Sequence, residues 1–136
     1  MISMEDVLDV ENLAILCQRK YTYLKDLKNL TDELTEILSG DDGYTAELLL
    51  DERMDKLKKV QTTTESIELM GEAGPKAAFI AHRLIFSEPE SINPETPDEK
   101  LVKEIRIKTR TLIKELQDQD KRLNMRLAGD KSYYAD

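Results

Sequence analysis

Residues 10–38 carry apolar side chains at the first and fourth positions of a seven-residue repeat, the pattern of a long helix that buries one stripe. Only Lys20 and Thr31 interrupt this stripe with polar side chains. A second apolar column runs beside the stripe, so the helix offers enough apolar surface to contact two partner helices. The stripe contains Val10, Leu13, Cys17, Leu24, Leu27, Leu34 and Leu38, and the second column contains Leu16, Tyr23, Leu30 and Ile37.

The ends of the first two helices are predicted from capping and turn residues. Ser3 and Asp6 resemble a capped helix start and Gly40 ends the periodic pattern, which predicts a first helix of about 36 residues. A tight turn at Asp41, Asp42 and Gly43 leads into a second helix over about residues 44–70. Because this connection is short, the two helices should be antiparallel neighbours.

An antiparallel hairpin centred on residue 42 fixes which side chains face each other. Positions equally far from residue 42 lie opposite, so Lys20 should face Thr64 and Thr31 should face Arg53. Polar side chains that meet in this way cost stability but discourage slipped pairings of the helices. The seam of the second helix is predicted to contain Leu50, Leu57, Val60 and Ile67, opposite Leu34, Leu27, Leu24 and Cys17.

The second half of the chain predicts one short and one long helix. Residues 71–75 break the second helix, and residues 76–86 are so apolar that they need burial on more than one side. After a loop over residues 87–95, Thr96 and Pro97 mark a strong helix start, and Gly129 is the expected end. The seam of this last helix contains Val102, Ile105, Leu112, Leu116 and Leu123.

The sequence therefore predicts an all-α protein. We expect an elongated antiparallel bundle of three long helices plus one short apolar helix, forming a single domain over residues 1–129. Residues 130–136 are expected to form a flexible C-terminal tail.

Composition narrows the classes of function. Charged residues make up 35% of the chain, no apolar run is long enough for a membrane span, and the acidic N-terminal segment does not resemble a signal peptide. These features predict a cytoplasmic protein without membrane insertion. Residues 1–96 hold 20 acidic and 10 basic side chains, whereas residues 97–136 hold 8 and 10, so nucleic acid is not an expected partner. The basic stripe Lys103, Arg106, Arg110 and Lys114 is interpreted as complementary to the acidic part.

Few residues suggest enzymatic chemistry. His82 lies in an Ala-His-Arg-Leu sequence like the start of the histidine phosphotransfer motif, but Ile85 and Phe86 replace the lysine and glycine of that motif. The carboxylates show no pattern that would place them in an apolar pocket. Cys17 lies on the helix stripe, as a buried, inert thiol would. We expect no enzyme, no metal site and no cofactor.

Two stretches resemble the small, acidic, helical chaperones of the flagellar type III export system, the FlgN-like and FliT-like proteins. Residues 48–57 are similar to the family's leucine-rich run followed by an acidic residue and arginine, and residues 112–127 are similar to its terminal amphipathic helix. The resemblance implies binding of the terminal helical segment of a flagellar axial protein, such as a hook-associated or filament-cap protein, and delivery to the export apparatus. It implies protein-binding roles for Arg53, Asp120 and Asn124.

Helical periodicity suggests two further binding residues and two alternative functions. Leu101 and Ile107 could join the apolar short helix as a docking surface for a partner helix. The first alternative is a homo-oligomeric coiled-coil scaffold, which as a homodimer would contact a second copy through the same stripe. The second is a phosphotransfer domain that uses His82.

Overall fold

The computed structural model describes residues 7–38, 40 and 43–135, and the side chains only as far as residue 126. This part of the chain forms four α-helices and contains no strand. None of its helices combines the length and the apolar character needed to cross a membrane. The helices are α1 (Val10–Ile37), α2 (Gly43–Leu69), α3 (Pro75–Leu84) and α4 (Pro97–Ala135), with 3₁₀ turns at Met70–Glu72 and Pro89–Ser91.

The start of α1 differs from the prediction. The helix begins at Val10, because the Asp9 side chain accepts a hydrogen bond from the Asn12 backbone N–H at 3.0 Å and Asp9 itself is extended. A start near Ser3 is therefore wrong for the helix. Ser3 and Asp6, as well as the predicted turn residues Asp41 and Asp42, lie outside the described residues.

The start of α4 was predicted correctly, and its end was not. The Thr96 hydroxyl accepts from the Glu99 backbone N–H at 3.1 Å, and Pro97 is the first helical residue. The helix then continues through Gly129 to Ala135. A glycine ends a helix when it adopts a left-handed conformation, and no glycine of the described residues has positive φ. Inside a helix it costs only about 1 kcal/mol, so Gly129 does not stop this helix.

Helix α1 is the central element, because both α2 and α4 pack along it. Five of the seven apolar members of the predicted α1 stripe are buried, whereas Val10 and Leu38 at its two ends are half-buried. The second column is half-buried, as expected for a helix with two neighbours. The predicted seam of α4 is also confirmed. Its five residues, Val102, Ile105, Leu112, Leu116 and Leu123, are at most 7% exposed.

Shared clusters show which parts of the long helices lie together. Cys17, near the start of α1, shares a cluster with Ile67 of α2 and Val102 of α4. Leu34, near the end of α1, shares another with Leu49 and Leu123. All three long helices therefore contribute to the core near both ends of α1.

The seam of α2 differs from the prediction by a rotation of the helix. Val60 and Ile67 pack in the core as predicted, but Leu50 and Leu57 are 44% and 40% exposed. Leu34 meets Leu49 instead of Leu50. Because leucine occupies all three positions 48–50, several rotations of α2 about its axis would bury a leucine. The sequence pattern alone therefore did not determine which face of α2 packs against α1. The observed seam contains Ala46, Leu49, Arg53, Lys56, Val60, Thr63 and Ile67.

Two polar layers divide the core into three apolar clusters. Thr31 accepts a hydrogen bond from Arg53 at 3.0 Å, as the hairpin register predicted. Lys20 and Thr64, the second predicted pair, line the same cleft. These layers lie between the cluster around Leu13 and Leu84, the central cluster around Leu24 and Leu116, and the cluster around Leu34.

Helix α3 covers one end of the bundle. Ala77, Ala81 and Leu84 are fully buried, whereas Phe79 is 73% exposed, so the segment is not buried all round. The helix packs on the 3₁₀ turn that follows α2. A Cβ atom at Gly71 would lie 2.8 Å from the Ala81 Cβ atom, so the close approach requires glycine at this position. The apolar segment therefore acts as a cap, with one aromatic side left open.

Candidate protein-binding groove

A groove runs between α2 and α4, which approach each other less closely than either approaches α1. We define it by two columns of side chains at heptad spacing, Leu50, Leu57 and Thr64 on α2 and Arg106, Ile113 and Asp120 on α4. Thr64, Arg106 and Ile113 line one cleft, and Arg53 next to Leu57 reaches Asp120, so the columns face each other. We call this surface the α2–α4 groove.

An ion pair forms the floor of the groove near the end that contains Leu50. The Arg53 guanidinium donates to the Asp120 carboxylate at 2.7 Å and to the Thr31 hydroxyl at 3.0 Å. The Arg53 side chain is only 12% exposed, and Asp120 is half-exposed. Two residues that were singled out by resemblance are thus in direct contact. A charged pair in this position can form hydrogen bonds with a molecule bound in the groove.

The other predicted binding residues lie in different places. Asn124 is exposed one turn beyond Asp120, where both line a shallow depression on α4. Leu101 is 44% exposed, and Ile107 is half-buried. Six positions separate them, which places them on different sides of α4. The structure therefore does not bring Leu101 and Ile107 into one patch with the groove.

The rotation of α2 creates an apolar edge that the sequence did not indicate. Leu50, Met54 and Leu57 are 44%, 55% and 40% exposed along one side of the helix. Val60 and Ile113 continue this surface as half-buried side chains on the central cluster. An exposed apolar strip beside a polar pair is typical of a surface that binds another protein.

The groove deepens into a cleft of about 390 Å³ near α3. Cys17 and Lys20 of α1 form its floor, α2 and α4 form its walls, and residues 85–89 close one end. Burial raises the pKa of the Cys17 thiol to about 11, although Arg106 and Lys20 act in the opposite direction. Burial also lowers the pKa values of the Lys20 ammonium and the Arg106 guanidinium below their ordinary ranges. We call this site the Lys20 cleft.

The basic stripe of α4 binds mainly the connection between α3 and α4. Lys103 donates to the Ile92 carbonyl at 2.8 Å, and Arg106 donates to the carbonyls of Leu84 at 2.9 Å and Ser87 at 2.7 Å. Arg110 forms ion pairs with Glu88 and Glu90. These contacts correct the expectation that the stripe complements the acidic part as a whole. The stripe instead holds residues 84–92 in place at the end of the groove.

The remaining candidates for chemistry are not gathered into a site. His82 is exposed on α3. Among the described residues, no group of three or more histidine, cysteine, aspartate and glutamate side chains is arranged to hold a metal ion.

Comparison with known proteins gives no assignment. No protein-family model, curated protein or solved structure matches the chain.

Proposed function

We propose that the protein is a cytoplasmic export chaperone that binds the helical terminal segment of a flagellar axial protein in the α2–α4 groove. The client would be a hook-associated or filament-cap protein, kept from premature assembly and delivered to the export apparatus. The flagellar assignment depends on the resemblance of residues 48–57 and 112–127. The binding of a helix is supported by the apolar edge of α2, which is the observation that carries the proposal.

The arrangement of the long helices favours a helical partner. We interpret the fold as an elongated antiparallel bundle in which α2 runs against α1 and α4, with α3 as a short cap. In such a bundle a fourth long helix can pack on α2 and α4, opposite α1, with the geometry of a four-helix bundle. It would cover Leu50, Met54 and Leu57, which are 44%, 55% and 40% exposed in the structure.

Charge on the two sides of the groove restricts the partner further. Helical spacing places Glu47, Glu65 and Glu68, together with the single basic residue Lys58, along the outer edge of the α2 column. It places Arg110, Lys114 and Lys121 along the outer edge of the α4 column. A partner helix should therefore carry basic residues on one flank of its apolar stripe and acidic residues on the other. This asymmetry would select one rotation of the bound helix.

Isothermal titration with the N-terminal and C-terminal segments of hook-associated and filament-cap proteins tests the proposal. We expect one class of segment to bind and Leu57→Asp to weaken that binding at least about tenfold, since burial of a leucine contributes about 1.5–3 kcal/mol. The control is Ile15→Asp. Ile15 is 50% exposed on α1 and lies two positions from both Leu13 and Cys17, on the opposite side of the helix.

Failure of every segment to bind, or equal effects of the two substitutions, would contradict the proposal. Size-exclusion chromatography with light scattering distinguishes the scaffold alternative. A dimer that Leu57→Asp dissociates, and that no client segment disrupts, would favour a homo-oligomeric scaffold. A monomer that forms a complex with the segment supports the chaperone.

A further inference from the structure

The α2–α4 groove is closed at the end near α3. Residues 85–89 line the end wall of the Lys20 cleft. Phe86 approaches Gly71 just after α2, and Arg106 of α4 binds the carbonyl of Ser87. The connection between α3 and α4 therefore crosses from one side of the groove to the other. A helix lying in the groove has to end at the cleft.

Lys20 lies in this cleft without a close partner. No hydrogen bond or ion pair to its ammonium group occurs within the part of the chain that the structure describes, and the Glu68 carboxylate in the cleft wall attracts it only at longer range. The two arginines of the cleft already have close partners: Arg106 is bound to two carbonyls and Arg110 to the Glu88 carboxylate. A partly desolvated ammonium group beside a guanidinium favours an anion.

The end of a helix that suits this site is its C-terminus. The last turn of a helix presents unpaired carbonyl groups and the negative end of the helix dipole, and cations nearby stabilise both. When the chain ends there, its α-carboxylate adds a full negative charge. The N-terminal end of a helix would instead bring its positive dipole end and unpaired N–H groups to Lys20.

We propose that the Lys20 cleft binds the free C-terminal carboxylate of the partner helix. This inference depends on the proposed helix-binding function and adds the direction of the bound helix and the identity of its end. The partner lies parallel to α2, because α2 also runs from Leu50 toward Thr64 at the cleft. The distance between these positions spans about 14 residues, or about 21 Å of helix at 1.5 Å per residue.

The experiment uses the C-terminal segment of a hook-associated protein in three forms. One has the free carboxylate, one has a C-terminal amide, and one carries a Gly-Ser extension. We expect the amide and the extended form to bind the protein about tenfold more weakly than the free acid. Lys20→Met should weaken binding of the free acid to the level of the amide and leave binding of the amide unchanged. Lys20→Arg should retain most of the preference.

The matched control is Lys108→Met, which removes a positive charge from exposed α4 surface that does not line the cleft. It should leave the acid-to-amide ratio unchanged. Equal binding of acid and amide by the unmodified protein would overturn the carboxylate site and leave groove binding intact. A preference for the acid that Lys108→Met abolishes as fully as Lys20→Met would also overturn it, as a general charge effect. If no form binds, both the proposed function and this inference are rejected.

Discussion

Helix α1 packs against two helices in different ways. Toward α4 its seam is apolar at nearly every layer, and the facing residues of α4 are at most 9% exposed from Val102 through Leu116. Toward α2 the seam contains Arg53, Lys56 and Thr63, and two predicted seam leucines lie exposed at its side. The α1–α4 contact is therefore the more apolar of the two, whereas α2 leaves Leu50 and Leu57 exposed beside its contact with α1.

The largest effect is expected when a leucine of α4 and a leucine of α2 are each replaced by alanine and the free energies of unfolding are compared. Leu116→Ala should reduce the free energy of unfolding by about 2–5 kcal/mol, because Leu116 is 5% exposed in the central cluster. Leu57→Ala should reduce it by less than about 1 kcal/mol, since Leu57 is already 40% exposed. Urea unfolding followed by circular dichroism measures both values. Equal losses would show that α2 is packed as firmly as α4.

A glycine pair tests the close approach of α3 to the 3₁₀ turn that follows α2. Gly71→Ala should cost about 1–3 kcal/mol, because the new Cβ atom would lie 2.8 Å from the buried Cβ atom of Ala81 and force α3 away. Gly43→Ala, at the other end of α2, is the control, as its Cβ atom would contact nothing within 4 Å. The melting temperature of that variant should equal or slightly exceed that of the unmodified protein. A neutral Gly71→Ala would indicate that α3 is docked loosely.

Acid titration tests how α3 is attached to α4. The Arg83 guanidinium donates to the Glu99 carboxylate at 2.6 Å, and this hydrogen bond holds the pKa of Glu99 below its ordinary value. A carboxyl group whose pKa is lower in the folded than in the unfolded state stabilises the protein fully at pH values above its unfolded-state pKa of about 4.3. This contribution is lost as the pH falls through the lowered pKa of the folded state. Glu99→Gln should therefore cost about 1–2 kcal/mol at pH 7 and progressively less below pH 4.

The control for this titration is Glu95→Gln. Glu95 also pairs with Arg83, at 3.8 Å, but its side chain is 73% exposed. An exposed pair of this kind contributes little, so the unfolding free energy of Glu95→Gln should follow that of the unmodified protein across the pH range. A Glu99→Gln loss that persists undiminished at acid pH would mean that packing, and not the charge, stabilises this contact.

The smallest effect is expected at the thiol where α1 meets both neighbours. Because burial raises the pKa of Cys17 to about 11, its thiolate fraction at pH 8 should be on the order of a hundredfold below that of an exposed cysteine. Alkylation by iodoacetamide should be slow in the folded protein and normal in urea. Rapid labelling of the folded protein would show that α2 opens away from α1 frequently, and it would sharpen the difference between the two seams.

Several features of the fold could be predicted from sequence because they depend on local chemistry. The Thr96–Pro97 start of α4 needs only side chains next to it in the chain, and the α4 seam has a single apolar stripe that fits one rotation. The pairing of Thr31 with Arg53 followed from the hairpin register alone. The start of α1 was missed because Asp9 and Ser3 both offer plausible caps, and only the path of residues 7–9 distinguishes them.

The candidate site was predictable only in part. Arg53 and Asp120 were suggested by resemblance, but their contact depends on how α2 and α4 both lie on α1, and no local pattern contains that information. Lys20 was expected to face Thr64, yet the cleft between them exists because residues 85–89 cross the groove beyond them. Contacts between residues far apart in the chain give the site its shape.

The sequence by itself determined three features of this protein. It forms long amphipathic helices, particular residues of α1 and α4 face the core, and particular polar side chains share a layer. All three features depend on the helical period and on the length of the hairpin connection. Tertiary structure alone decided the rotation of α2, since the three leucines at positions 48–50 support more than one face with similar burial. The contact of Arg53 with Thr31 and Asp120 selects one of these rotations. That selection leaves Leu50 and Leu57 exposed and forms the groove.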